Sequence, residues 1–243
     1  MTYCVGMRLK KGLVFMSDTR TNAGVDDIAT FRKMFSWSVP GERVITLLAA
    51  GNLATTQAVV SLLDERSKAP ADRTPSILKA PSMFQVARIV GDLMREVIQA
   101  NSKNGQQADS AFNATIILGG QIGSSGMRLF LIYPEGNFIE ASSDTPFFQI
   151  GETKYGRPIL VRCYDAEMSF EDAVELLMVS FDSTIKANMS VGLPLDLQIY
   201  AADSLQVGHA RRIELDDPYY HSVSEGWGKA LKLAFGSLPH FHF

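Results

Sequence analysis

The stretch "RVITLLAAGN", residues 43–52, constrains this chain more than any other. Val44, Ile45, Leu47 and Leu48 follow one another almost without a polar break. A strand with that pattern is buried on both faces, so the fold must stack layers on either side of it. At Gly51 the texture changes. "NLATTQAVVSLLDERSK" carries Ala58, Val59, Leu62 and Leu63 at helical spacing, with Asn52 placed as its N-cap. Val86, Ile89, Val90, Leu93 and Val97 form a second helical stripe, after a loop punctuated by Pro70, Pro75 and Pro81.

Ahead of this pair the chain reads as strands. Residues 2–10 place Tyr3, Val5, Met7 and Leu9 on one face, Lys10-Lys11-Gly12 make a tight turn, and "LVFMSD" is a short apolar strand ending in Asp18. "FRKMFSWSV" and "RVITLLAA" are a further pair joined by "PGE". Beyond residue 110, "FNATIILGG", "MRLFLIYPEG" and "NFIEASSD" are strands. "SFEDAVELLMVSFDSTIKAN" is an amphipathic helix opened by Ser169 and Asp172 as a capping box, "LDLQIYAADS" and "VGHARRIEL" close the sheet, and a last helix covers about residues 218–234. Strands, two helices, strands, helix, strands is not the regular alternation of a parallel sheet. It predicts an α+β fold of two antiparallel sheets with helices outside them, as one domain over 1–243.

Composition narrows the function. A formal net charge of −3 in 243 residues gives no electrostatic reason for nucleic acid or an anionic membrane as partner. Two cysteines, Cys4 and Cys163, make neither a disulfide framework nor a four-ligand metal set. Cys4 reads as core, and Cys163, in "LVRCY", as helix core. His240 and His242 in the closing "HFHF" fall short of a metal site. No apolar stretch reaches the roughly 20 residues of a spanning helix, and the start lacks a secretory signal. The expectation is a soluble cytoplasmic protein.

Four features near the start make a chemical set. Thr2 begins the first strand, Asp18 ends the second, Lys33 opens the third, and Gly51 sits at a strand-to-helix junction with free backbone N–H groups. A hairpin of this length returns Asp18 to the chain start, and Lys33 reaches it if the third strand is adjacent. A threonine hydroxyl needs a base to become a nucleophile. Once Met1 is removed, the α-amine of Thr2 can serve, with an ordinary pKa of about 7.7–8.0. A lysine ammonium nearby disfavours protonation of that amine, an aspartate holds the lysine, and the Gly51 N–H can hold an oxyanion. Each residue also has a plain reading: a second residue, a strand-end turn, a solvated strand charge, a helix-start glycine.

The words "TYCVGMRLKKGLVFMSDTRTNAG", "FRKMFSW" and "LLAAGNLATTQAV" resemble the proteasome-type threonine peptidases, a group of N-terminal nucleophile hydrolases. "SDTRTNAGVD", "AAGNLATTQAV" and "VGLPLDLQIY" resemble the bacterial ancestral β-subunit branch, Anbu, within it. The resemblance implies a four-layer αββα sandwich. It implies Thr2 as nucleophile, Asp18 and Lys33 as its charge relay, Gly51 as oxyanion donor and Arg20 in a structural role. Ala49, Leu53 and Asn22 would line the pocket for the residue before the cut bond. It implies self-assembly into rings or ring-like stacks around a chamber, with a peptide substrate and no cofactor or metal; nothing in the chain designates an ATPase partner. Two positions depart from the family pattern. In "IGETKYG", Glu152 stands where a serine is expected, and a carboxylate there would raise the pKa of the Thr2 amine. In "KANMSVG", Ser190 is retained while Ala187 falls at an aspartate position, with Asn188 the nearest polar substitute. Two other readings follow from these departures: an assembling shell with weak or no peptidase activity, and an amidase for a small molecule or isopeptide.

Overall fold

The computed structural model describes residues 2–22, 28–69, 73–101 and 111–243. The chain runs β1 (Tyr3–Leu9), β2 (Gly12–Asp18), β3 (Arg20–Asn22), β4 (Ile28–Thr30), β5 (Met34–Val39), β6 (Arg43–Gly51), α1 (Leu53–Lys68) and α2 (Met83–Asn101). It continues with β7 (Ala114–Ile122), β8 (Arg128–Ile132), β9 (Phe138–Glu140), β10 (Phe147–Gly151), α3 (Thr153–Cys163), α4 (Phe170–Ala187), β11 (Leu195–Ala201), β12 (Ala210–Ile213) and α5 (Pro218–Gly236). One five-stranded sheet has the order β10-β1-β2-β11-β12, another β5-β6-β7-β8-β9, and β3-β4 form a small ribbon. Every pairing is antiparallel.

The period of two along the strands sorts the core into three layers. Tyr3, Val5, Met7 and Leu9 face outward from β1 and pack with Leu160, Leu177 and Phe181 of α3 and α4. Cys4 faces the other way, between the two sheets, with Phe15, Val44, Leu48, Ile117 and Phe148. Ile45, Leu47 and Ala49 point from β6 to Val59, Val86 and Val90 of α1 and α2. The strand β6 is therefore covered on both sides, as its unbroken apolar run requires, and the four layers are helix, sheet, sheet, helix. Polar side chains also tie the sheets together: Ser36 Oγ donates to Gln198 Oε1 (2.5 Å), and Gln198 Nε2 to Thr46 Oγ1 (2.8 Å).

The helix starts follow the sequence chemistry. Asn52 accepts from Thr55 N, and Ser169 with Asp172 makes a complete capping box. Two readings need correction, and one strand has no sequence signal. The third strand of the chain is the short β3, and Lys33 precedes β5, which lies in the opposite sheet and not beside β2. The five-residue β10 carries no long alternating pattern, yet it pairs with β1 over Tyr3–Met7. Cys163 is exposed at the end of α3, because the buried stripe of that helix runs through Gly156 and Leu160. No helix among the described residues is long and apolar enough to cross a membrane.

Candidate active site

Asp18 is the last residue of β2 and fully buried. Its Oδ1 accepts from Lys33 Nζ at 2.8 Å and from Tyr3 N at 2.9 Å. Lys33, 5% exposed, also donates to Arg20 O at 2.6 Å. The lysine thus reaches Asp18 across the gap between the two sheets. Burial raises the Asp18 carboxyl above its ordinary pKa, although the Lys33 ammonium and the Tyr3 and Gly192 backbone amides pull the other way.

Thr2 lies one residue before β1, half-buried, and its carbonyl accepts from Glu152 N at 2.7 Å. Gly151 holds φ +83°, and a Cβ on it would collide with the Thr2 carbonyl. Only glycine allows β10 to press this closely on the residue. On its other flank Tyr3 locks the strand in place. Its hydroxyl meets Ser180 Oγ (2.7 Å) and receives Gln149 Nε2 (2.6 Å), and burial pushes its pKa to about 12. Thr2 opens onto a cleft of about 520 Å³ whose walls include Lys33, Phe35, Ala49, Gly51, Leu53 and Glu152.

The register locates the Gly51 N–H. Gly51 sits opposite Ala114, and Asn52 N donates to Asn113 O, so the even positions of β6 bond to β7 and the odd ones turn toward β5. Ala49 N accordingly donates to Lys33 O. The next odd position is Gly51, but Phe31, which would continue the pairing, donates instead to Thr19 O. Among the described residues the Gly51 N–H thus has no strand partner, and Gly51, at φ +114°, lines the cleft.

Arg20, Asn188 and Ser190 form a separate group. Arg20 Nη1 donates to Met189 O at 3.0 Å, and the guanidinium packs so tightly on Gly192 that a Cβ there would strike it. Asn188 caps α4, and its Oδ1 accepts from both Ser190 N (3.0 Å) and Ser190 Oγ (2.6 Å). Neither Asn188 nor Ser190 lines the cleft; they shape the turn that leads to the Gly192 amide beside Asp18. Asn22 ends β3, and its side chain lies outside the described residues. The cleft also contains Thr21, Arg32, Phe35, Thr56 and Gln57, which the sequence reading passed over. Phe35, at the second position of a strand that follows Lys33, is the one whose place was open to inference. Among the described residues no three His, Cys, Asp or Glu side chains gather to hold a metal ion.

Three comparisons place this geometry among known proteins. The family model described as "Proteasome subunit" matches residues 2–193. Comparison with the curated proteins gave no match. Among solved structures, Anbu (ancestral beta-subunit) from Yersinia bercovieri is 47% identical, with 99% of each chain covered and a TM-score of 0.92. An Anbu (Gly-1) mutant from Hyphomicrobium sp. strain MC1 is 49% identical over 100% of both chains, with a TM-score of 0.92. A helical assembly of the Anbu complex from Pseudomonas aeruginosa is 44% identical over 99% of this chain and 98% of that one, again with a TM-score of 0.92.

Proposed function

The chain belongs to the proteasome subunit family, and from that premise we propose that it is an N-terminal threonine hydrolase that cuts peptide bonds inside a particle built from its own copies. The observation that carries this reading is that Thr2, Gly51 and Lys33, which Asp18 holds from behind, line one cleft. Removal of Met1 frees the Thr2 amine. The amine, directly or through a water, takes the proton from Thr2 Oγ, and the oxygen attacks the substrate carbonyl carbon. The negative charge that develops on the carbonyl oxygen is held by the Gly51 N–H. Collapse breaks the C–N bond, the leaving amine takes the proton, and an ester on Thr2 remains. Water then hydrolyses the ester and restores Thr2. Lys33, held by Asp18, keeps positive charge beside the amine and so favours its unprotonated form. Ser190, positioned by Asn188, and Arg20 shape the neighbouring turn, while Ala49 and Leu53 line the pocket for the residue before the cut bond. No cofactor takes part.

Assembly is supported by the relative solved as a helical assembly and by the apolar surface that α5 and the tail leave uncovered. Leu233 is 76% exposed and Phe235 78%, with Leu238, Phe241 and Phe243 beyond them; copies of the chain can cover these side chains in a ring or ring-like stack. The cytoplasm is the proposed location.

Intact-mass measurement of protein from its native host, followed by treatment with a peptide β-lactone, tests the reading. Loss of Met1 and a covalent adduct on Thr2, absent in Thr2→Ala, support it. A chain that retains Met1, or a Thr2→Ala variant with full hydrolytic activity, overturns it. Processed protein that takes no label points to the shell reading, which Glu152 beside Thr2 favours by stabilising the amine in its protonated, non-basic form.

A further inference from the structure

The cleft beside Thr2 holds two cations of different standing. Lys33 is committed to Asp18 and to Arg20 O. Arg32, its neighbour in sequence, is exposed in the same wall and has no hydrogen bond or ion pair among the described residues. Glu152 lines the same cleft and makes no ion pair with it.

Arg32 and Phe35 also line an adjoining hollow of about 570 Å³ that contains Arg211 and Arg212. Those two are neutralised locally. Arg212 makes a two-pronged pair with Asp196, at 2.7 and 3.0 Å, and Arg211 is held by Asp217. Of the three arginines lining the two hollows, Arg32 alone lacks a carboxylate partner among the described residues. It shares the lining with Phe35, Ala49 and Leu53, and apolar surface beside a guanidinium lowers the local dielectric and strengthens a charge-assisted bond.

We propose that Arg32 selects an acidic side chain, glutamate or aspartate, in the residue that precedes the cut bond. This rests on the reading of Thr2 as the nucleophile and names its substrate class. A guanidinium binds a carboxylate through two parallel N–H···O bonds, whereas a neutral amide of the same shape accepts at one oxygen only. The difference corresponds to a preference for glutamate over glutamine of about 10- to 100-fold.

The test measures kcat/KM for fluorogenic peptides that differ only in Glu, Gln, Leu or Lys before the coumarin amide, on Met1-processed protein. The wild type prefers Glu to Gln by at least about tenfold, Arg32→Gln brings the two level, and Arg32→Glu favours Lys. Equal Glu and Gln rates in the wild type, or a preference that survives Arg32→Gln, overturns the proposal. A second arm needs no turnover: calorimetric binding of acetyl-Ala-Ala-Ala-Glu-amide and its Gln counterpart to Thr2→Ala, with and without Arg32→Gln. There too the Glu peptide binds at least about tenfold tighter only when Arg32 is present, and equal affinities count against Arg32. Failure of a small β-lactone to label Thr2 counts against the nucleophile reading alone, so the two fail separately.

Discussion

Replacing Lys33 by methionine removes the cation from a fully buried carboxylate while keeping the length of the side chain. The Asp18 side chain is 0% exposed and that of Lys33 6%. Without the ammonium, Asp18 Oδ1 keeps the Tyr3 amide, with the Gly192 amide nearby, and Oδ2 has no hydrogen-bond partner among the described residues. Removing one member of such a buried pair costs about 3–5 kcal/mol, and for a chain of this length that lowers Tm by about 6–10 °C. The pH dependence identifies the cause. The folded pKa of Asp18 is already raised by burial, and losing Lys33 raises it further. A carboxyl with a raised folded pKa contributes stability that is fully present below its unfolded value, near 3.9, and lost as pH rises through the folded value. The deficit of Lys33→Met relative to wild type is therefore largest at pH 7–8 and shrinks as pH falls toward 5. Urea unfolding at pH 5, 6, 7 and 8, at one fixed protomer concentration, measures it. A deficit below about 1 kcal/mol at pH 7, or one that does not change with pH, refutes the account of Asp18 as a charge buried on the strength of its lysine.

Other consequences are as direct. Gly51→Ala places a Cβ against Asn113 O at φ +114°, so stability falls by about 1–3 kcal/mol; the displaced N–H lowers kcat by roughly a hundredfold or more in a peptidase assay. Glu152→Gln removes the carboxylate beside Thr2, which lowers the pKa of the Thr2 amine and moves the acidic limb of the pH–rate profile to lower pH. Phe235→Ser with Phe241→Ser removes two exposed aromatic side chains; light scattering shows a smaller assembly, while circular dichroism shows the secondary structure retained.

Much of the fold was legible because its strongest signals are local. The run through Val44–Leu48 required a strand between two layers, Asn52 and Ser169 marked helix starts by their own side-chain chemistry, and the Lys10–Lys11 turn set the β1–β2 hairpin. The family words around Thr2, Asp18, Lys33 and Gly51 agree with the family model over residues 2–193. What escaped depends on partners distant in sequence. β10 is a strand because β1 lies beside it, and five residues carry too little pattern to announce that. The path of Lys33 to Asp18 runs between sheets, which spacing along one strand order does not encode. Gly151 looks like an ordinary turn glycine until the Thr2 carbonyl is found against it. Cys163 was misplaced because its helix buries a narrow stripe, and one residue at the helix end falls outside it.

That exposure makes the chain a convenient object for site-selective labelling. Cys4 is sealed between the sheets, and burial raises its thiol pKa well above the ordinary value, so it offers almost no thiolate to a reagent. Cys163 is accessible at the far end of α3, and an 11-residue helix spans about 16 Å from Thr153, next to Glu152 in the cleft wall. A maleimide dye thus attaches at one position without mutagenesis, and paired with a fluorescent inhibitor in the cleft it reports occupancy by energy transfer.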